Sequence, residues 1–253
     1  MSIRKTILAA ATLAFTGAYG LSMANDQVIT MGFFNLSPHT FVEPGSDTPM
    51  GAGIDYFNAH AELMGYSVEW VGPLAFPRLI SDLEAGAVDG AVFLSRSPDR
   101  EEFLHYADRP FVTLNAVLAV NQNHPLQEVT SPEDIRGMTV GFLADSAMGP
   151  FMTDNADIVT FDNIAGQNWM EQNIRKLVNE RLDAVFDRNS FSIQYEANRL
   201  GLADQIRILT LPEPPGLVYA GFSKKSPQGQ ALVEAFNAVF TDSTLDYDTF
   251  LAN

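Results

Sequence analysis

The sequence predicts an α/β protein folded as two lobes, and three observations carry that expectation. Strand and helix signals alternate through nearly the whole chain, the pattern that parallel sheets with crossover helices leave behind. The 253 residues, 46% of them hydrophobic, are enough for one large or two modest cores. Two segments, one around Arg109 to Asn115 and the other the stiff Pro212–Gly216 run PEPPG, look like crossings between lobes. If both are hinges, residues 25–112 and 216–253 make the first lobe and residues 113–215 form a second lobe inserted between them.

QVITMGFF (Gln27 to Phe34) reads as the first strand. Next, GAGIDYFNAHAELMG sets Ile54, Phe57, Ala61 and Met64 on one helical face and stops at Gly65, a residue suited to a left-handed cap. YSVEWV alternates like a half-buried strand, and FPRLISDLEAG is a short helix with Pro77 in its first turn and Gly86 at its end. VDGAVFLS is apolar on both faces, so it belongs in the middle of a sheet. VTLNAVLAVN is a further strand. In TSPEDIRG, Ser131 caps, Pro132 opens and Gly137 closes one or two helical turns.

MTVGFLADSAMGPFM reads as a strand, a tight loop and a helix start, and ADIVTFD as a strand. QNWMEQNIRKLVNERL is a helix burying Trp169, Ile174, Leu177 and Val178. DAVFDR is a strand running into the helix NSFSIQYEANRLG, which Gly201 closes. QIRILTL, the PEPPG segment, the strand LVYAGFS and the helix SPQGQALVEAFNAVF complete the fold, followed by a short tail.

The first residues, MSIRKTILAAATLAFTGAYGLSMAND, place Arg4 and Lys5 before an apolar run that ends in small residues. That is the form of a secretory signal peptide over residues 1–24, and it implies a periplasmic product. Its apolar centre, Ile7 to Phe15, is far short of the ~20 residues of a membrane-spanning helix. Removing it takes away two basic residues and no acid, leaving 13 basic against 31 acidic side chains, a formal charge of −18. Such a field repels nucleic acid, which is excluded as a partner. The absence of cysteine excludes a disulfide framework, and His39, His60, His105 and His124 are too scattered to suggest a metal site. No cofactor is expected, and the chain is expected to be a monomer.

Ligands in open α/β sheets bind beyond the carboxyl ends of strands. Three expected strand ends carry polar groups there: Ser95 with Arg100, Asp145 with Ser146, and Asp187 with Arg188. Taken alone, Arg100 suits a surface ion pair with Asp99, Glu101 or Glu102, Ser146 a helix cap, and Asp187 a local pair with Arg188.

The run LEAGAVDGAVFLSRSPDREEFLHYADRPF followed by TSPEDIRGMTVGFLADS resembles the bacterial extracellular solute-binding proteins of the polar amino acid type, which feed ABC importers. The shared features are a Gly-ended helix, a strand opening on Asp, a hydroxyl before an acid–Arg pair, an Ala-Asp-x-Pro-Phe segment, and S-x-x-D-I-x-G-x-x-V-G with Ile135 in a usual leucine position. GAGID, at Gly51 to Asp55, matches the family's motif before its first helix.

The resemblance implies a periplasmic-binding-protein-like (type II) fold, hinged by two crossing segments and closing on a small solute. It implies that Arg100 grips the solute's α-carboxylate with Ser95 beside it. On the second lobe, Ser146 and the Ala147 amide would meet the same carboxylate at a helix start, and Asp187 would take the ammonium. The chain departs from the pattern in three places. Asp183 to Asp187 is four steps where the family has five, Phe93 stands where a small residue is common, and Ala147 replaces Thr or Gly. Phe33, Phe34 and Phe41 give the pocket an apolar lean. The implied partners are the solute and a membrane ABC permease or a membrane sensor. The alternative on the same fold is a periplasmic cyclohexadienyl or arogenate dehydratase, for which Glu43, Asp145 and His39 are the cleft residues able to move protons.

Overall fold

Alternation of apolar and polar residues puts eleven strands into two sheets, numbered here in chain order in a computed structural model. It describes residues 27–43 and 45–251; the expected signal peptide lies outside these residues. The first sheet contains β1 (Gln27–Gly32), β2 (Tyr66–Val71), β3 (Gly90–Ser95), β4 (Leu104–Tyr106), β5 (Val112–Leu114) and β11 (Gly216–Ser223). Its order is β2-β1-β3-β11-β4, with β5 also pairing with β11. The second sheet contains β6 (Val117–Asn121), β7 (Thr139–Leu143), β8 (Thr160–Ile164), β9 (Ala184–Asp187) and β10 (Ile206–Thr210), in the order β10-β6-β9-β7-β8. Strand β3 is buried on both faces at the centre of its sheet, as its unbroken apolar run requires.

The helices are α1 (Ala52–Met64), α2 (Phe76–Ala85), α3 (Pro98–Glu101), α4 (Pro150–Asp154), α5 (Trp169–Val178), α6 (Ser190–Arg199), α7 (Gly229–Asp242) and α8 (Tyr247–Leu251). Gly65 and Gly86 close α1 and α2 in the left-handed conformation, as the sequence led us to expect. Asn189 caps α6 by accepting the backbone N–H of Phe191. One core runs from Ile29, Phe57 and Leu79 of the first lobe to Trp169, Ile174 and Val185 of the second, so the lobes are packed together. Behind the second sheet lies a smaller cluster of Leu118, Val140, Phe142, Met152 and Phe186.

The expected strand VTLNAVLAVN divides in two. Leu114 pairs with Gly216 in the first sheet and Val117 pairs with Thr210 in the second, so Asn115 and Ala116 make the crossing. The return crossing, 211–215, runs beside it, with the Leu211 N–H donating to the Ala116 carbonyl at 2.9 Å. Three other expectations need correction. Strand ADIVTFD begins only at Thr160, because Ala156–Ile158 winds into a 3-10 turn. The last long helix starts at Gly229 rather than at Ser226. The expected tail contains α8, whose Tyr56, Phe93 and Phe111 contacts bury Tyr247.

Candidate functional site

Strand ends from both sheets face each other across a groove, and the loop after β1 covers one side. The inner part of the groove is a cavity of about 50 Å³ lined by Phe34, Phe93, Ser95, Ser146, Ala147 and Asp187, and also by Leu36, Trp169, Arg188 and Asn189. A larger space of about 250 Å³ opens outward between the 35–46 loop and helices α5 and α6. Its charged groups largely satisfy one another, since Arg199 pairs with both Glu171 and Glu196. The smaller cavity is lined by Asp187 and Arg188, whose Oδ2 and Nε are buried without a hydrogen-bond partner.

Pro98 opens α3 directly after β3, and this single turn swings Arg100 back toward the strand end. The guanidinium is buried and lies 5.3 Å from the centre of the Phe76 ring. Its Nη1 donates to the Ser95 carbonyl at 3.2 Å, and its Nη2 crosses the groove to the Asp145 carbonyl at 2.8 Å. The alternative of a surface ion pair with Asp99, Glu101 or Glu102 is not taken up, and Glu101 pairs with Arg96. Arg100 has no carboxylate partner among the described residues, and burial pulls its pKa below the usual guanidinium range. A cation in that condition lacks only an anion.

Asp187 ends β9 opposite Val117, and it reaches the cavity despite the four-step spacing from Asp183. Its Oδ2 is shielded from solvent and has no hydrogen-bond partner. Burial pushes its pKa up to about 7, against the opposing pull of the Asn189 and Arg188 backbone N–H groups and of the Arg188 charge. A cation delivered to Oδ2 would hold the carboxylate ionised.

Two anticipated contributions do not take the form expected of them. Ser146 and Ala147 line the cavity, but the helix they were to begin starts four residues later, at Pro150. Its first turn is already served, since Glu213 Oε2 accepts the Phe151 N–H at 2.7 Å. Gly149, at φ 74°, leaves the room this needs, as a Cβ there would lie 2.1 Å from Glu213 Oε1. Phe33 turns away from the groove to pack edge-on against Trp70, while Phe34 faces the cavity and packs on Phe76. Adjacent residues leaving a strand point opposite ways, so only one of the two could line the site.

Phe93 adopts φ 61°, a left-handed backbone that a bulky side chain seldom takes. Its ring packs 4.8 Å from His39, and Gly53 makes space for it, since a Cβ there would lie 2.4 Å from that ring. Asp145, whose carbonyl accepts from Arg100, is also left-handed at φ 59°. Unusual backbone thus stands on both sides of the groove.

Trp169 was expected to be packing alone. It is buried, but it also lines the cavity, and its indole N–H donates across the groove to the Asn35 carbonyl at 3.1 Å. Further bonds between the lobes run from Asn35 to the Gln167 carbonyl, from Gln167 to the Pro73 carbonyl and from Arg188 to the Ser95 hydroxyl. The groove is therefore closed. His39 adds a latch, accepting at Nε2 from Asn189 Nδ2, which leaves the Nδ1–H to donate to the Tyr247 hydroxyl. Arg188, Asn189, Leu36 and Trp169 were not named as binding residues; Arg188 was legible only as the polar neighbour of Asp187 at a strand end, and Asn189 as a helix cap directly after a strand.

Burial presses the His39 pKa down to about 4, so the ring is neutral at ordinary pH. The unfolded chain takes up this proton near pH 6.5. His39 therefore stabilises the fold fully above that pH and loses about 3 kcal/mol of that contribution as pH falls through about 4. Asp187 has the opposite sign: its raised pKa costs stability above about 7, and that cost is relieved on acidification toward 3.8. The two slopes oppose each other in the intact protein. His39→Gln should therefore gain stability between pH 7 and pH 5, and Asp187→Asn should lose it, in urea melts at each pH. Equal pH profiles for the two variants would contradict both assignments.

The two sheets, the paired crossings and the polar groove between them define a two-lobed solute-binding clamp. The family model for bacterial extracellular solute-binding proteins, family 3, matches residues 29–249, and the chain belongs to that family. No curated protein matches the chain significantly. Among solved structures, the chain is similar to the substrate-binding protein of an amino acid ABC transporter at 21% identity, covering 88% of this chain and 97% of that one with TM-score 0.70. It is also similar to the VFT2 domain of Bordetella pertussis BvgS at 21% identity, covering 91% and 93% with TM-score 0.72. A third is AbpA from Streptococcus pneumoniae bound to L-arginine, at 17% identity, covering 90% and 94% with TM-score 0.73. Among the described residues no helix is long and apolar enough to cross a membrane.

Proposed function

We propose that the protein is a periplasmic receptor of an ABC importer that clamps a small carboxylate-bearing solute, an amino acid or a close relative. The observation that carries this is Arg100, buried at the groove with no acidic partner and bonded to carbonyls on both sides of it. An incoming carboxylate would replace the Asp145 carbonyl as the acceptor, with Ser95, Ser146 and the Ala147 amide around it, while Asp187 accepts the ammonium. The lobes hinge at the crossings near 112–116 and 211–216, the first lobe being built from the two ends of the chain.

A thermal-shift panel of the standard amino acids and small organic acids tests this. A specific solute at 100 times its dissociation constant should stabilise the fold by ~2.7 kcal/mol, a rise of a few degrees. No shift with any of them would refute the proposal. Delivery to a membrane sensor rather than a permease is the second reading, supported by likeness to a histidine kinase sensor domain at TM-score 0.71. The dehydratase alternative has less support, because His39 is committed to Asn189 and Tyr247 and its pKa is far below neutrality.

A further inference from the structure

Arg188 follows Asp187 into the cavity, and the family resemblance gives it no role. Its Nη1 donates to the Ser95 hydroxyl at 2.6 Å, the same residue whose carbonyl receives Arg100. Two guanidinium groups, one from each lobe, thus converge on Ser95. Neither forms an ion pair with a carboxylate among the described residues, although seven such pairs form elsewhere in them.

The usual explanation for a buried arginine is that structure consumes its five donors. Here it consumes few of them. The Arg188 Nε is shielded from solvent and has no partner. Glu213 is near enough to favour the charged guanidinium, but it spends Oε2 on the Phe151 N–H and its Oε1 is itself unpaired. The slot for the Arg188 head is built into the start of β11, where a Cβ on Gly216 would lie 2.0 Å from Nη2. Burial pulls the pKa of Arg188 down, and its charge also lowers that of Arg100. Two like charges brought together out of water, with unspent donors, are stabilised by anionic density between or beside them, and planar forks suit carboxylates. Asp145 lies near Arg100, and Glu213 and Asp187 lie near Arg188, each favouring the charged guanidinium, but none of them forms an ion pair with either arginine.

We propose that Arg188 is a second anion-binding residue of the clamp, and that the solute is a short acid with two anionic groups, one held at Arg100 and the other at Arg188. This rests on the clamp function above and narrows its ligand class from carboxylates to diacids, amino diacids included.

Titration calorimetry on the intact protein tests this with matched pairs: L-aspartate and L-asparagine, L-glutamate and L-glutamine, and succinate and succinamate. Each amide keeps the size of its acid and removes one charge. The expected result is that the best diacid binds about tenfold or more tightly than its amide, as loss of a charge-assisted hydrogen bond implies. Arg188→Gln should bring the two within about threefold by weakening the diacid alone. If an amide binds the parent protein as tightly as its acid, the second site is wrong while the clamp stands, and that comparison needs no variant. If none of these compounds binds but another monocarboxylate does, the diacid class is likewise wrong. If no carboxylate of any kind binds, the clamp function falls too.

Discussion

Arg100→Lys should weaken carboxylate binding by about a hundredfold while the fold stays intact. Lysine keeps the charge, but a single ammonium cannot present the two parallel N–H groups that match a carboxylate's oxygens. Losing one charge-assisted bond and misplacing the other removes roughly 2–3 kcal/mol, and 1.4 kcal/mol is a tenfold change. The stability effect should be much smaller. In the closed protein Arg100 bonds to the Ser95 and Asp145 carbonyls and interacts with the Tyr106 hydroxyl, contacts an ammonium can partly keep, and its stem would still cover Phe76. Calorimetry with the best-binding solute checks the first claim, and a melting curve checks the second. An Arg100→Lys protein that binds like the parent would remove Arg100 from the site.

The next largest effect belongs to Asp187, and its signature is a dependence on pH. Near pH 6 this carboxyl is mostly protonated in the free protein, because burial holds its pKa at about 7. An ammonium-bearing solute must expel that proton to form its ion pair. Its affinity should therefore fall about tenfold for each pH unit below about 7, with one proton released per solute bound. Acids that lack an ammonium should show no such slope. Asp187→Asn should abolish the proton release and, at pH 8, weaken ammonium-bearing solutes by about a hundredfold or more, since a buried ammonium would lose its partner. Calorimetry in two buffers of different ionisation heat counts the protons. A flat pH profile for an amino acid ligand would place its ammonium elsewhere.

Most of the architecture was legible in the sequence because local rules agreed with one another. Gly65 and Gly86 stop helices for a steric reason, and β3 is central because no polar residue interrupts it. Boundaries set by distant partners were not legible. Nothing within VTLNAVLAVN separates Leu114 from Val117; the division appears only when Gly216 and Thr210 pair with them in different sheets. The helix expected at Ser146 starts instead at Pro150, and Glu213, more than sixty residues away, serves its first turn, a partner that local spacing does not reveal. Tyr247 gave no sign of its partnership with His39, which depends on a chain end folding back.

The cavity repeats this division. Ser95, Phe34, Phe93, Ser146, Ala147 and Asp187 were anticipated and do line it, with Arg100 bonded at its edge. Arg188 was legible only as a neighbour of Asp187, and a local ion pair was the natural expectation. That it reaches over to Ser95 depends on Gly216 leaving a slot, a fact of packing between segments that sequence spacing cannot carry.

A crystal structure of the protein grown with its tightest-binding acid would test the clamp most directly. We predict a solute carboxylate within about 2.7–2.9 Å of the Arg100 guanidinium nitrogens, in the position now answered by the Asp145 carbonyl. A solute seated only in the outer space beside Glu43 and Glu171, with the bond from Arg100 to Asp145 unbroken, would contradict it.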